Sequence, residues 1–105
     1  MKVIVDDSVH HLLNEFYFYA LLNHPALDEM TVVHKVERLY AALEQLGKYA
    51  SALPIARLKT EWIALGYREY IVEDFHFAFR IYTDETCGIS YVYVHDACHS
   101  LLYYE

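Results

Sequence analysis

Large apolar side chains occupy alternate positions in the C-terminal third of the chain. From residue 75 to 82 every odd position is phenylalanine or isoleucine, and the even positions are His76, Ala78, Arg80 and Tyr82. Residues 67–72 and 89–95 are also rich in aromatic and β-branched residues, and turn-forming residues separate the three segments. Alternation with period two is typical of strands with two unlike faces, so the pattern predicts a three-stranded antiparallel meander.

The two faces of this meander are predicted to have different roles. The odd-position phenylalanines and the two valines of the last segment are expected to form the core under a layer of helices. The opposite face then collects polar and aromatic side chains: His76, Arg80, Tyr82, Tyr91, Tyr93 and His95. The sequence does not decide on which face Arg68 lies. A two-residue turn at Glu73-Asp74 pairs Arg68 with Phe79 on the covered face, whereas a three-residue turn places it with Arg80.

Two helical patterns precede the meander. Apolar residues recur at steps of three and four from Val9 to Ala20, after the N-cap candidate Asp6-Asp7-Ser8, and predict a helix that ends near Asn23. Asn23-His24-Pro25 predicts a break, because proline disfavours helical geometry in the residue before it. A second helix is predicted between Asp28 and the stop signal Gly47, with an apolar stripe of Met30, Val33, Val36, Tyr40 and Leu43.

These elements predict one α+β domain over residues 1–105. A short β-branched strand at residues 1–5 opens the domain, and the two helices form a hairpin that packs on one face of the meander. The segment 48–66 is ambiguous: Pro54 argues against a central strand, whereas the alternation at 56–59 fits a short or edge strand. Trp62 and Ile63 are expected to anchor a loop against the core.

The charge balance restricts the classes of partner. Eight basic and fifteen acidic residues give a formal net charge of −7, which argues against broad affinity for nucleic acid. Four basic residues lie in the strand-rich half, either scattered or grouped as an anion site: Arg57, Lys59, Arg68 and Arg80. No apolar run approaches the roughly 20 residues that span a bilayer, and no leader pattern opens the chain, so we expect a cytoplasmic protein.

Cysteine and histidine chemistry adds little to this picture. Cys87 and Cys98 flank the last strand, about 23 Å apart when extended, and are expected to be free thiols. The segment 95–99 holds four residues of metal-ligand type, but residues four apart at a strand end do not share one face as they do on a helix. Hydrogen bonding of His95 and Asp96 to the turn that leaves the sheet is the favoured interpretation, and no cofactor or metal is expected.

The meander resembles a known family. Its segments read Tyr67-Arg68-Glu69-Tyr70-Ile71-Val72, then Phe77-Ala78-Phe79-Arg80-Ile81-Tyr82, then Tyr91-Val92-Tyr93-Val94-His95. These segments, and the order of strand, helical hairpin and meander, are similar to toxins of the RelE/ParE superfamily from bacterial type II toxin–antitoxin modules of the plasmid-stabilisation type. The resemblance implies a toxin that a cognate antitoxin holds inactive.

Within this family, RelE-like members cleave mRNA on the ribosome and ParE-like members act on DNA gyrase. RelE-like chemistry would use basic side chains to stabilise phosphoryl charge and, in different members, histidine, tyrosine or glutamate to transfer protons. The positions here that match such catalytic residues are Arg80 on the sheet, and His99 and Tyr103 after the last strand. Contacts to the target or to an anion would come from Arg57, Lys59, Arg68, His76, Tyr91, Tyr93 and His95.

The chain departs from the family pattern after Val94-His95. The family places arginine or lysine there, whereas this chain has Asp96-Ala97-Cys98-His99. Together with the acidic net charge, this favours a ParE-like toxin, or one with an altered target, over a ribonuclease. The alternative is an interaction module that keeps the fold without toxicity and works as a homodimer or as a bound subunit. No membrane partner is expected for either class.

Overall fold

The computed structural model describes residues 1–23 and 28–99. Strands and helices follow the predicted order, with an additional helix in the ambiguous segment: β1 (Lys2–Val5), α1 (Asp7–Asn23), α2 (Glu29–Gln45), α3 (Thr60–Ala64), β2 (Arg68–Val72), β3 (Phe75–Thr83) and β4 (Ser90–His99). Two 3₁₀ turns, Leu46–Lys48 and Ala50–Ala52, follow α2. The predicted break at His24-Pro25 and the predicted catalytic residue Tyr103 lie outside the described residues.

The four strands form one sheet in the order β1-β4-β3-β2. β2, β3 and β4 pair antiparallel, whereas β1 pairs with β4 in parallel, with Lys2 beside Tyr91. The predicted α+β class is confirmed, but the sheet is four-stranded and mixed. The parallel pair arises because α1 and α2 carry the chain across one face between β1 and the meander.

The turn between β2 and β3 decides the side of Arg68. It contains two residues, and Glu73 has a positive φ of 53°, as tight two-residue hairpin turns require. Arg68 therefore pairs with Phe79 and lies on the helix-covered face. Its guanidinium donates hydrogen bonds to backbone carbonyl groups in the segment 51–53. The structure thus separates Arg68 from Arg80.

β4 is longer than predicted. It runs to His99, so residues 96–99 belong to the strand and the predicted turn after residue 95 is wrong. The ladder with β3 shifts by one residue at His95, which is left without a partner on β3. This β-bulge reverses the alternation, so that Asp96 lies on the face away from the main core while Ala97 enters it.

The main core lies between the sheet and the first two helices. The phenylalanines of β3 and the valines of β4 are at most 1% exposed, as the alternation predicts. α1 contributes Val9 and Leu13, and α2 contributes Leu39 and Leu43. The stripe predicted for α2 is confirmed for Leu43 and for Tyr40, which packs against this core. It is wrong for Met30, which is exposed, while Val33 and Val36 line a groove together with residues of α1.

A second, smaller core lies on the opposite face of the sheet. Trp62 of α3 is fully buried and packs with Ala56, Ala78 and Cys98. The strand predicted at 56–59 is wrong, since the nearby backbone makes only an isolated bridge between Ile55 and Arg68. Helices thus cover most of one face and part of the other. Within residues 1–23 and 28–99, none of the helices has the length and apolarity that crossing a membrane requires.

Candidate functional site

The half of the second face that α3 leaves open carries the aromatic and polar residues predicted from the alternation. β3 places Arg80 and Tyr82 there, opposite Tyr93 and Tyr91 of β4. His95, at the bulge, joins them through contacts with Tyr82 and Tyr93. These five residues and Tyr67, which directly precedes β2, are named the tyrosine face: Tyr67, Arg80, Tyr82, Tyr91, Tyr93 and His95.

Ring contacts hold the side chains of β3 and β4 in place. The Cζ atom of Arg80, which is exposed, lies 5.5 Å from the centroid of the Tyr82 ring. Tyr82 stacks on Tyr91, with the two centroids 5.7 Å apart and the planes inclined by 25°. Cation–π and stacking contacts of this kind order side chains before any partner arrives. The tyrosine face is therefore a preorganised aromatic surface that carries a guanidinium.

His95 is enclosed by three tyrosine rings. Its imidazole stacks on Tyr67, with centroids 4.8 Å apart and planes inclined by 11°. The Tyr93 centroid lies 4.6 Å away, and the hydroxyl of Tyr82 is 2.7 Å from the Nε2 atom of His95. A hydrogen bond and a stack from two different elements therefore fix the same imidazole.

This enclosure changes the protonation of His95. Burial lowers the pKa of the imidazole below its ordinary value of 6.5; the carboxylate of Asp6 opposes the shift and the charge of Arg80 adds to it. Because burial disfavours the charged form, the ring is predominantly neutral at pH 7. A neutral imidazole can accept or donate one hydrogen bond at its second nitrogen, which is the chemistry available on this face.

The start of α1 is bonded to the tyrosine face. Asp6 follows β1 and accepts hydrogen bonds from the backbone N–H and the hydroxyl of Ser8, as an N-cap residue does. Its other oxygen accepts a hydrogen bond from the hydroxyl of Tyr93. Hydrogen bonds from Ser8 and then from Tyr93 lower the pKa of Asp6 from 3.8 to about 2, while the bond to Asp6 raises the pKa of Tyr93.

We expect Asp6 to give the protein a specific acid sensitivity. Its pKa is lower in the folded chain than in the unfolded chain, so its contribution to stability is complete above about pH 4 and is lost as the pH falls toward 2. Asp6→Asn keeps an N-cap oxygen and removes the charge. Thermal melts at pH 5, 4, 3 and 2 should therefore show a steeper decline for the wild-type protein than for the variant. Parallel declines would contradict this assignment.

Asp96, the acidic residue that follows His95, lies in the covered half of the same face. The indole Nε1 of Trp62 donates a hydrogen bond of 2.9 Å to the Oδ2 atom of Asp96. His76 lies in this half, 8% exposed and opposite Cys98, with its Nδ1 atom 3.5 Å from a carboxylate oxygen of Glu69. His76 was predicted to contact the target, but it is buried. Asp96 holds the α3 segment on the sheet.

The structure brings some of the predicted site residues together and separates others. Arg57 and Lys59 lie in the segment that covers the adjoining half of the face, and the Nζ atom of Lys59 is 5.7 Å from the Trp62 ring centroid. Arg68 lies on the helix-covered face. His99 does too, because it pairs with Phe75 at the far end of β3. Arg80 and His99 are therefore on opposite faces and about 17 Å apart along the strand direction.

His99 belongs to a bonded cluster under the helices. Its Nε2 atom is 3.1 Å from the Oδ2 atom of Asp74, and its ring packs against Phe16 and Phe75. The Nζ atom of Lys35 lies 2.8 Å from the other oxygen of the same carboxylate. This cluster joins both long helices to the β2–β3 turn and to the end of β4. Its visible role is structural, and the predicted catalytic role of His99 stays a prediction.

The basic residues are divided between the two sides of the domain. The helical side carries exposed acidic residues, and its cations Lys35 and Arg38 pair with Asp74 and Glu73. These exposed acidic residues include Asp7, Glu15, Glu29, Glu37 and Glu44. Half of the eight basic residues lie instead on the second face or in the segment over it: Lys2, Arg57, Lys59 and Arg80. The same side also carries carboxylates, among them Asp6, Glu69 and Asp96, so the surroundings of the tyrosine face are of mixed charge.

Sequence reasoning missed Tyr67, which belongs to the tyrosine face, and the contact that Asp6 makes with this face. Tyr67 precedes β2. The two-residue turn between β2 and β3 places its side chain on the same face as Arg80, so the alternation would have identified Tyr67 if that turn had been assumed. Asp6 was identified only as an N-cap candidate. Its contact with Tyr93 depends on β1 pairing with β4, and no local pattern in the sequence reports that pairing.

Comparison with known proteins adds no identity. Family models, curated proteins and solved structures were searched, and none matches this chain. In residues 1–23 and 28–99, histidine, cysteine and carboxylate side chains form no group of three or more that could hold a metal ion.

Proposed function

We propose that this chain is the toxin of a bacterial type II toxin–antitoxin module of the RelE/ParE type, and that it inhibits its target by binding through the tyrosine face. DNA gyrase, as for ParE-like toxins, or an altered protein target would be bound there, and a cognate antitoxin would neutralise the toxin. The observation that carries the proposal is the preorganised, half-open face around Arg80 and His95, which is formed by the strands that resemble the family.

The composition of this face supports binding to a protein. Tyrosine and arginine are enriched at protein interfaces, because they bury large areas while their polar ends still form hydrogen bonds. Four tyrosines surround one arginine and one histidine here, and ring contacts already restrict their rotamers. A partner therefore has less side-chain entropy to overcome when it binds.

The position of His99 favours binding over mRNA cleavage. General acid–base catalysis needs the proton-transferring group and the charge-stabilising group around the same reacting atoms. Arg80 and His99 lie on opposite faces of the sheet, and His99 is bonded to Asp74. This separation weighs against the catalytic pair that the resemblance suggests.

One observation favours the second candidate, an interaction module that keeps the fold without toxicity. Several of the chain's cations are engaged within the described fold: Arg68 binds backbone carbonyl groups, and Lys35 and Arg38 bind carboxylates. Asp96, which replaces the basic residues of the family, is bonded to Trp62. A chain that uses these side chains for structural contacts would still bind its protein partner but would not act on a toxin target.

Induced expression in a bacterial host tests the proposal directly. We expect arrest of growth on induction, and recovery when the neighbouring open reading frame that encodes the antitoxin is co-expressed. Binding to gyrase predicts DNA damage with intact message, whereas cleavage of message during arrest would favour the RelE-like activity. Normal growth in both cases, with folded protein accumulating, would contradict the toxin and leave the interaction module.

A further inference from the structure

His95 lies at the β-bulge in β4. Where Val94 pairs with Phe79 and Asp96 pairs with Ala78, His95 has no partner on β3. Bulges of this kind re-aim a side chain and are over-represented beside functional sites. The imidazole at this bulge is also the point where β3, β4 and the segment before β2 meet through their side chains.

The contacts to this imidazole restrain different motions. The near-parallel stack of Tyr67 fixes the plane of the ring, with the centroids 4.8 Å apart. The bond of 2.7 Å between Nε2 and the Tyr82 hydroxyl fixes rotation within that plane. Tyr82 is held in turn by Tyr91 and Arg80. Two side chains from different elements thus select one orientation of His95.

The two ring nitrogens of His95 differ in their hydrogen-bond partners. Nε2 is occupied by Tyr82, and Nδ1 makes no hydrogen bond to any other group in the described part of the chain. The charged groups that act on the ring are Asp6, at the start of α1, and Arg80, on β3, and the tyrosine hydroxyls complete its polar surroundings. Arg80 lies on the same exposed surface. A target group that contacts Nδ1 would therefore also lie near a guanidinium.

We propose that Tyr67 and Tyr82 are positioning residues for the His95 imidazole: Tyr67 fixes its plane, and the Tyr82 hydroxyl donates its proton to Nε2, which leaves the ring proton on Nδ1 and offers that N–H to an acceptor of the bound target beside Arg80. The target part of this inference rests on the proposed function. The positioning part is a property of the isolated protein and is measured on it alone.

The first measurement uses nitrogen NMR of the histidine rings. His95 is assigned with His95→Gln, and the wild-type protein should show one dominant tautomer with a titration midpoint below 6.5. Tyr82→Phe should yield a mixture of the two tautomers, and Tyr67→Leu should raise the midpoint toward the ordinary value. Tyr67→Phe keeps the stack and should match the wild-type protein. Unchanged tautomer and midpoint in folded Tyr82→Phe and Tyr67→Leu would overturn the positioning.

The second measurement links positioning to the target through growth arrest. If arrest depends on an oriented Nδ1, Tyr82→Phe and Tyr67→Leu should weaken it, while Tyr67→Phe should retain it at equal protein level. Full arrest by variants whose tautomer mixture has changed would overturn the target part. Absence of arrest by the wild-type protein would instead count against the proposed function, and the NMR result would still decide whether Tyr67 and Tyr82 position His95.

Discussion

Trp62→Ala should lower the free energy of unfolding by about 3–5 kcal/mol, which is the usual cost of removing a large aromatic side chain from a core. Trp62 is fully buried, although it lies outside the main core under α1 and α2. It fills the space between α3 and the sheet, and its indole is bonded to Asp96. The variant would lose this packing and would also leave a carboxylate without its indole donor.

Two further variants separate these contributions. Trp62→Phe retains a ring but loses the hydrogen bond, so a loss of about 1–3 kcal/mol is expected. Ile63→Ala changes the next residue, which is 43% exposed, and should cost less than about 1 kcal/mol. Urea unfolding followed by circular dichroism measures all three, since the chain has one tryptophan and fluorescence would be lost. Equal losses for Trp62→Ala and Ile63→Ala would show that α3 is not anchored as described.

The regular part of the fold was predictable because it rests on periodic patterns. The alternation from Phe75 to Tyr82 identified both faces of β3, and the steps of three and four from Val9 to Ala20 identified α1. These patterns report which side of an element is buried. They do not report what covers the other side. Trp62 is buried as expected, but the second core that it forms on the opposite face was not predicted, and Ile63, expected to anchor beside it, is exposed.

The main errors in the site have two physical causes. Alternation assumes an unbroken ladder, and the β-bulge at His95 breaks it, so the strand was ended four residues early and His99 was placed beyond the sheet. Non-local pairing is the second cause. Neither the parallel contact of β1 with β4 nor the hydrogen bond from Tyr93 to Asp6 leaves a local sequence signal.

The second large effect is expected at Arg80. If the tyrosine face binds the target, Arg80→Ala removes an exposed guanidinium and its contact with the Tyr82 ring. Arginines within interfaces are frequent hot spots, and a loss of about 2 kcal/mol corresponds to about 30-fold weaker binding. Arg80 lies at the surface, where substitutions usually change stability by less than about 0.5 kcal/mol. The toxic effect should therefore be lost while the fold is retained.

Arg38→Ala provides a matched control. Arg38 is also exposed, but it lies on α2 on the helical side, where it pairs with Glu73 at 3.1 Å. Both variants change the net charge by the same amount, so a general effect of charge on solubility or association would appear in both. A difference between them reports which side of the domain contacts the target.

The most direct test of the tyrosine face is the count of surviving cells after induction of wild-type, Arg80→Ala and Arg38→Ala proteins at matched expression. We predict that survival rises sharply with Arg80→Ala and stays at the wild-type level with Arg38→Ala. Toxicity that is undiminished in Arg80→Ala, or lost only in Arg38→Ala, would contradict the assignment of target binding to this face.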